Sequence, residues 1–414
     1  MDYIALGAIA VGILTLAVVG VLWRGRDSAA SGTIKGPGPE TPAIDEPPTF
    51  RVVALGLEGS GKTVLLSSMF HGLNYRSPSR PYHLETRAED AVVLARVRAQ
   101  IIDPKKPWPA STTLSDKREY PFDFVGYDAD ERRRTILRMS YLEYAGEIFE
   151  GSSAESRAQL KEVEAHVQEA HALIGLIDGY RLRQLLLSDP AADGYFQAVL
   201  LPMLGFMQRA TCPIQLVVTK WDDLRDLGDG RPVDDGLRFK EVMSALMDIP
   251  QVKALVSHAE SRRLRVIPIS AVGIHFADLD DGREPPKKRS NASLAPINVD
   301  VPLCAVVPDL LRQVESSLDE PLQRRVRRYV DGRLWQDARS LVLSLLQSRA
   351  GAVLRGFSEG VVFLEWMVRR TPETRRVPRA PGGDLELQRL RAELIRHMEG
   401  KVDHLGFTYP DSVC

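Results

Sequence analysis

The chain has 414 residues, 44% hydrophobic and 26% charged, with a formal net charge of -1. That length accommodates two domains, or one large domain with appendages, and the balanced charge gives no reason to expect a nucleic-acid partner. Cys212, Cys304 and Cys414 stand far apart in no metal-ligand spacing, which argues against a disulfide framework and for a reducing compartment.

Taken in order, the first feature is an uncharged run from Tyr3 to Trp23, almost entirely Ala, Val, Ile, Leu and Gly. About 21 residues of helix span roughly 30 Å, the thickness of a bilayer core. Asp2 precedes the run, and Arg24 and Arg26 follow it. The positive-inside rule therefore puts the N-terminus outside and the rest of the chain in the cytoplasm. Residues 1–27 are expected to be a single-pass transmembrane anchor in membrane lipid, not a cleaved signal. Residues 28–49 carry Pro37, Pro39, Pro42, Pro47 and Pro48 together with Gly32, Gly36 and Gly38, and read as a linker.

Phe50 to Leu57 reads as a first strand, Lys62 to about Asn74 as a helix, and Ala88 to Ile102 as a second helix. Glu119–Val125 and Thr135–Leu142 read as a hairpin across the polar turn at Gly126–Asp130. Glu155–Ala172 is charged and helical, and Gly194–Arg209 is a further helix. Ala172–Ile177, Pro213–Val218 and Leu264–Ile269 are apolar runs of the kind buried in a parallel sheet. Strands alternating with helices imply an α/β fold with a doubly wound, mainly parallel sheet. Ala277–Val301 reads as an exposed insertion, in which Asn291-Ala292-Ser293 is a chance glycosylation pattern. Helical spacing returns after Val306, and a last helix runs from near Asp384, with Leu387, Leu390, Leu394 and Met398 on one side, to Gly400.

Gly56-Leu57-Glu58-Gly59-Ser60-Gly61-Lys62-Thr63 joins the first strand to the first helix. This is the context of a phosphate-binding loop (P-loop). Its glycines let backbone N–H groups curl round a polyphosphate, Lys62 reaches the β- and γ-phosphates, and the Thr63 hydroxyl ligates Mg²⁺. Alone it says only that a nucleoside phosphate binds. Glu143-Tyr144-Ala145-Gly146-Glu147 follows a strand and can supply the γ-phosphate side, with Glu143 holding the metal through a water and the Gly146 N–H facing the phosphate. Thr219-Lys220-Trp221-Asp222 follows a buried strand, and a carboxylate there accepts from the N1 and N2 donors of guanine, a pair adenine lacks. The Lys220 stem can lie along the base, and Ser270-Ala271, at the end of the next strand, can add a backbone N–H to O6.

In this set and order the chain resembles the translation-factor-related (Ras-like) P-loop GTPases. Its loop is similar to those of Arf-type proteins, the β subunit of the signal-recognition-particle receptor, and bacterial double-GTPase-like proteins. The resemblance covers about 50–272 plus the helix after Val301. It implies GTP/GDP and Mg²⁺ as ligands, a P-loop domain over 50–320, and a helical extension over 321–414 outside it. It also implies a first-switch threonine on the metal, Thr113 or its neighbour Thr112, and switch segments that change affinity for a protein effector. Two positions depart from the family. Glu147 stands where glutamine usually orients the attacking water, and Glu58 adds a carboxylate within the loop; both imply slow turnover. Two other functions stay open: a nucleotide-binding scaffold with negligible hydrolysis, and a P-loop ATPase. The arginines Arg324, Arg325, Arg327 and Arg328 read as a solvated helix surface, and Val361–Met367 as core.

Overall fold

The computed structural model describes residues 47–57, 59–110, 118–144, 154–190, 194–196, 200–225, 234–257, 263–278, 286–316, 318–330 and 383–413. The expected anchor at 1–27, residues 28–46 of the linker expected over 28–49, and the Val361–Met367 segment lie outside these residues, while Thr49 at the linker's end already belongs to the first strand. Among the described residues no helix is long and apolar enough to cross a membrane. Pro47–Cys414 forms one compact unit.

A seven-stranded sheet organises it, in the order β2-β3-β4-β1-β5-β6-β7. The strands are β1 (Thr49–Gly56), β2 (His83–Glu85), β3 (Arg118–Tyr127), β4 (Arg133–Glu143), β5 (Ala172–Asp178), β6 (Ile214–Thr219) and β7 (Leu264–Pro268). From β4 to β7 every pairing is parallel, while β2 and β3 are antiparallel additions at one edge. The central strands are buried on both faces, and all seven residues of β5, ALIGLID, are buried. The β3–β4 hairpin alternates, with Tyr120, Phe122 and Phe124 turned into the core. Pro121 is tolerated within β3 because β2 pairs only with Asp123–Val125, which leaves Pro121 at an open edge.

Helices α1 (Lys62–Leu73), α2 (Ala88–Ile102), α3 (Ala154–Gln168), α4 (Gly179–Leu186), α5 (Leu201–Met207), α6 (Trp221–Arg225), α7 (Asp235–Met247) and α8 (Pro250–Ser257) connect the strands. Together they form an α/β fold around a mostly parallel sheet. The helix expected over Glu155–Ala172 stops at Gln168, because Ala170 and His171 already enter the core and the His171 N–H donates to the Arg51 carbonyl.

Three further helices follow: α9 (Val301–Ser316), α10 (Glu320–Val330) and α11 (Gly383–Thr408). Instead of ending at Gly400, α11 runs eight residues further, to Thr408. Val402 and Leu405 carry its buried face past the glycine, and that packing outweighs roughly 1 kcal/mol of glycine penalty. Leu390, Leu394, Ile395, Met398 and Leu405 belong to the same apolar core as the sheet. Beyond α11, Tyr409 packs on Phe239 at 5.0 Å between ring centroids, and Val413 bridges to Arg265 at the outer edge of β7. The tail thus covers part of an edge strand. Arg327 is not on a solvated surface as expected: it pairs with Glu315 of α9 at 2.6 Å and Glu399 of α11 at 2.5 Å, both glutamates largely buried, and so ties the three helices together. The Ala277–Val301 stretch is more firmly held than an exposed insertion. Its short strands β8 (Ala277–Asp278) and β9 (Lys287–Lys288) pair, and Ala277, Lys288 and Val299 are buried.

Candidate nucleotide site

The phosphate loop leaves the carboxyl end of β1 and enters α1 at Lys62. Gly59 and Gly61 hold φ of 74° and 83°, the left-handed region in which a side chain is strained. At Gly56 the reason is space, since a Cβ there would lie 2.8 Å from the Leu176 Cβ. The loop folds on itself through the Ser60 N–H and hydroxyl, which donate to the Leu57 carbonyl at 3.2 and 2.8 Å. Lys62 is buried and donates to the carbonyls of Gly56 and Leu57 at 2.6 and 2.7 Å, so its ammonium lies across the mouth of the loop.

Glu143 ends β4 directly beside Ala54 of β1 and is fully buried. The Thr63 hydroxyl donates to its Oε1 at 3.1 Å. A hydroxyl and a carboxylate side by side at a phosphate loop are the hard oxygen donors that Mg²⁺ takes, so this pair fits the ion. The adjacent Tyr144 hydroxyl is hydrogen-bonded to Nδ1 of His166 on α3. Glu58, Thr112, Thr113, Gly146 and Glu147 lie outside the described residues.

The candidate base-reading residues gather at the ends of β6 and β7. Thr219 ends β6, and its hydroxyl donates to the Ile177 carbonyl at 3.2 Å. Lys220 turns the chain at φ 50°, and Asp222 lies in α6, 7% exposed. The Trp221 side chain points the other way, into the core against Tyr409 and Phe239. The Trp221 N–H donates to the Ile269 carbonyl at 2.9 Å, tying this turn to the next strand. The Ser270 N–H is taken by the Ile297 carbonyl at 3.2 Å, and the Ser270 hydroxyl accepts from the Gly273 N–H at 2.8 Å. Of the Ser270–Ala271 pair, the Ser270 N–H is thus already bonded within the protein, and the Ala271 N–H is the one a base could meet.

Asp178 is a member the sequence reading missed. It ends β5, caps α4 by accepting from the Tyr180 N–H at 3.0 Å, and pairs with Lys220 Nζ at 2.8 Å. The ion pair fixes the lysine stem that the sequence places along the base. A local signal existed, since an Asp ending an apolar run before a helix is an N-cap pattern. At Gly179 a Cβ would lie 2.1 Å from the Thr219 carbonyl oxygen, so only glycine lets β5 and β6 end so close together.

Asp223, also missed, is nearly buried behind Asp222, with the Arg183 guanidinium 3.6 Å away. Burial first, and the Asp222 carboxylate second, push its carboxyl up from 3.8 to about 7. The folded state then holds this proton more tightly than the unfolded chain, so Asp223 stabilises least at high pH. Its contribution falls as pH rises from about 4 to about 7, by an amount on the order of 4 kcal/mol at 1.36 kcal/mol per unit. His171 works in the opposite sense: burial, then Arg51, lowers it from 6.5 to about 4, so its contribution is lost as pH falls through that range. The two slopes oppose in the whole protein, and the Asp223→Asn variant separates them. The stability advantage of Asp223→Asn over the parent, from urea midpoints, should grow between pH 5 and pH 7.5; a constant difference would show that Asp223 is ionised throughout.

No protein-family model matches the chain, and no curated protein does. Three solved structures are similar to it. Aquifex aeolicus Era, a point variant bound to GDP.AlF4-, is 15% identical with a TM-score of 0.27, over 66% of this chain and 68% of that one. The signal recognition particle receptor SRb-GTP/SRX complex from Chaetomium thermophilum is 17% identical with a TM-score of 0.30, over 54% and 91%. A probable GTP-binding protein, engB, is 11% identical with a TM-score of 0.26, over 53% and 88%. At these scores the reading of the site rests on this chain's own geometry.

Proposed function

We propose that the chain is a membrane-anchored guanine-nucleotide-binding protein that hydrolyses GTP with Mg²⁺ and switches its affinity for a protein partner. The observation that carries the reading is that two independent recognition elements sit at the carboxyl ends of β1 and β6, parallel strands with only β5 between them. One is the Gly56–Thr63 loop with Lys62 across its mouth. The other is the β6 turn, where Lys220 is pinned to Asp178 at 2.8 Å beside Asp222. Ligands of open α/β sheets bind at this end of the strands.

In this reading Lys62 exchanges its two carbonyl partners for β- and γ-phosphate oxygens, and the loop N–H groups neutralise the rest of the charge. Thr63 and Glu143 would hold Mg²⁺, with Thr113 as a further ligand, and the ion would supply charge neutralisation for the phosphates. Asp222 accepts from guanine N1 and N2, and the Ala271 N–H meets O6. Gly146 would face the γ-phosphate, and Glu147 would orient the attacking water more weakly than a glutamine does, because its charge repels the phosphate. The Tyr3–Trp23 helix would hold the site at the cytoplasmic surface of a membrane.

Glu147 and Glu58 favour a second reading, a nucleotide-binding scaffold that hydrolyses negligibly. Single-turnover phosphate release from the purified chain loaded with GTP decides between them. Release that depends on Mg²⁺ and stops in Lys62→Ala supports the switch; release at the buffer rate leaves the scaffold.

A further inference from the structure

Lys288 belongs to none of the motifs assigned to the site, yet the residue is only 6% exposed and its ammonium is aimed at backbone. It donates to the carbonyls of Gln100 at 2.6 Å, Lys106 at 3.0 Å, and Asp103 and Pro107 both at 3.3 Å. Three N–H donors are shared among four carbonyls at the end of α2 and in the turn after it, adding to the bonds that the Lys106 N–H makes to Asp103 and Gln100 Nε2 to Pro107. A cation at a helix C-terminus also gains from the helix dipole. The ammonium sits 5.0 Å from the centroid of the Trp108 ring, and the Trp108 indole N–H donates back to the Pro286 carbonyl at 2.7 Å. The β8–β9 hairpin and the 100–108 stretch are thus clasped from both sides.

The clasp closes over a small apolar cluster separate from the main core. Ile101, Val272 and Phe276 form it, with Val64, Trp108 and Leu294 packed against them. Val64 follows Thr63 of the phosphate loop, and Val272 follows Ala271 of the base loop. The cluster therefore sets the spacing between the two loops that one nucleotide must bridge. On its other side the base loop is already fixed. Ser270 exchanges hydrogen bonds with Ile297, and a Cβ on Gly273 would lie 2.3 Å from the Ala295 carbonyl oxygen.

We propose that Lys288, with Trp108, is a positioning residue for guanine selectivity: it presses the loop carrying Ala271 against α1 and α2 so that the Ala271 N–H meets the base. This rests on the guanine reading above. A lysine that merely stitched a hairpin in place would affect melting and leave selectivity alone. Guanine offers an acceptor at C6 and adenine a donor, so a slackened Ala271 amide weakens binding of guanine and leaves adenine unaffected.

The experiment is competition of GDP and ADP against labelled GDP on the purified full-length chain with Mg²⁺, for the parent, Lys288→Met and Trp108→Phe. In Lys288→Met the GDP affinity should fall about tenfold, the worth of one well-placed hydrogen bond, with ADP unchanged, so the selectivity ratio falls about tenfold. Trp108→Phe keeps an aromatic ring beside Lys288 but loses the indole N–H bond to Pro286 and part of the contact area, and its ratio should fall about threefold. A ratio unchanged in both variants, or GDP and ADP weakened equally, overturns the proposal. Should Lys288→Met not fold, Trp108→Phe decides by the same criterion. A parent chain with no preference for GDP over ADP refutes the guanine reading itself, before any variant is compared, and the inference falls with it.

Discussion

Replacing Asp309 by alanine should destabilise the fold by about 3–5 kcal/mol, the cost of stranding one member of a buried ion pair. Asp309 on α9 accepts from Arg265 of β7 through two bonds, Nε to Oδ2 at 3.0 Å and Nη2 to Oδ1 at 2.5 Å. Both side chains are 1% exposed. Without the carboxylate a buried guanidinium, 1% exposed, is left without its counter-ion. Arg265 is also the residue that Val413 bridges, so the loss reaches the C-terminal tail at the sheet edge. Chemical denaturation measures the cost as a shift in midpoint at constant slope. The double variant Arg265→Met, Asp309→Leu should recover most of it, because an apolar pair of similar volume carries no desolvation penalty. A single variant within 1 kcal/mol of the parent would show the pair to be solvated in solution.

Asp222→Asn should weaken GDP binding about 100-fold or more. The carboxylate provides two charge-assisted acceptors for two ring donors, worth about 1.5–3 kcal/mol each. The amide keeps one acceptor and turns a donor toward a donor. Its own position stays intact, since the turn is set by the backbone bond from Trp221 to Ile269 and by the Asp178–Lys220 pair. Inorganic pyrophosphate should therefore compete equally well in variant and parent, because the Lys62 end of the site is unaltered. Xanthine, which has a carbonyl where guanine has its amino group, should regain affinity against the amide. Equal GDP affinity in variant and parent would remove Asp222 from the site.

The sheet was legible because burial on both faces leaves continuous apolar runs. Ala172–Ile177, Pro213–Val218 and Leu264–Ile269 match β5, β6 and β7 to within a residue or two. The hairpin was legible through alternation, and α2 came out at the expected bounds, Ala88–Ile102. In the site, Lys62 and Thr63 follow from glycine spacing, and Glu143 meets Thr63 across 80 residues, as strand adjacency requires. Three features were hidden, for different physical reasons. Gly400 reads as a helix stop, but the tertiary packing of Val402 and Leu405 overrides the local preference. Asp178 and Lys220 are 42 residues apart and meet only because β5 and β6 are neighbours. Lys288 looks like one more charge in a polar stretch; its carbonyl partners are 181 to 188 residues away, and periodicity carries no information over that distance.

The central claim is that one site joins a phosphate loop to a guanine reader. Equilibrium competition of unlabelled GDP, GTP and ATP against labelled GDP, on the purified full-length chain with Mg²⁺, tests it most directly. The account predicts that GDP and GTP displace the label at comparable concentrations and that ATP requires at least 100 times more, the discrimination a buried hydrogen-bonding reader such as Asp222 supplies. Displacement by ATP as effective as by GTP would contradict it, and would leave the Gly56–Thr63 loop as a phosphate site without a base.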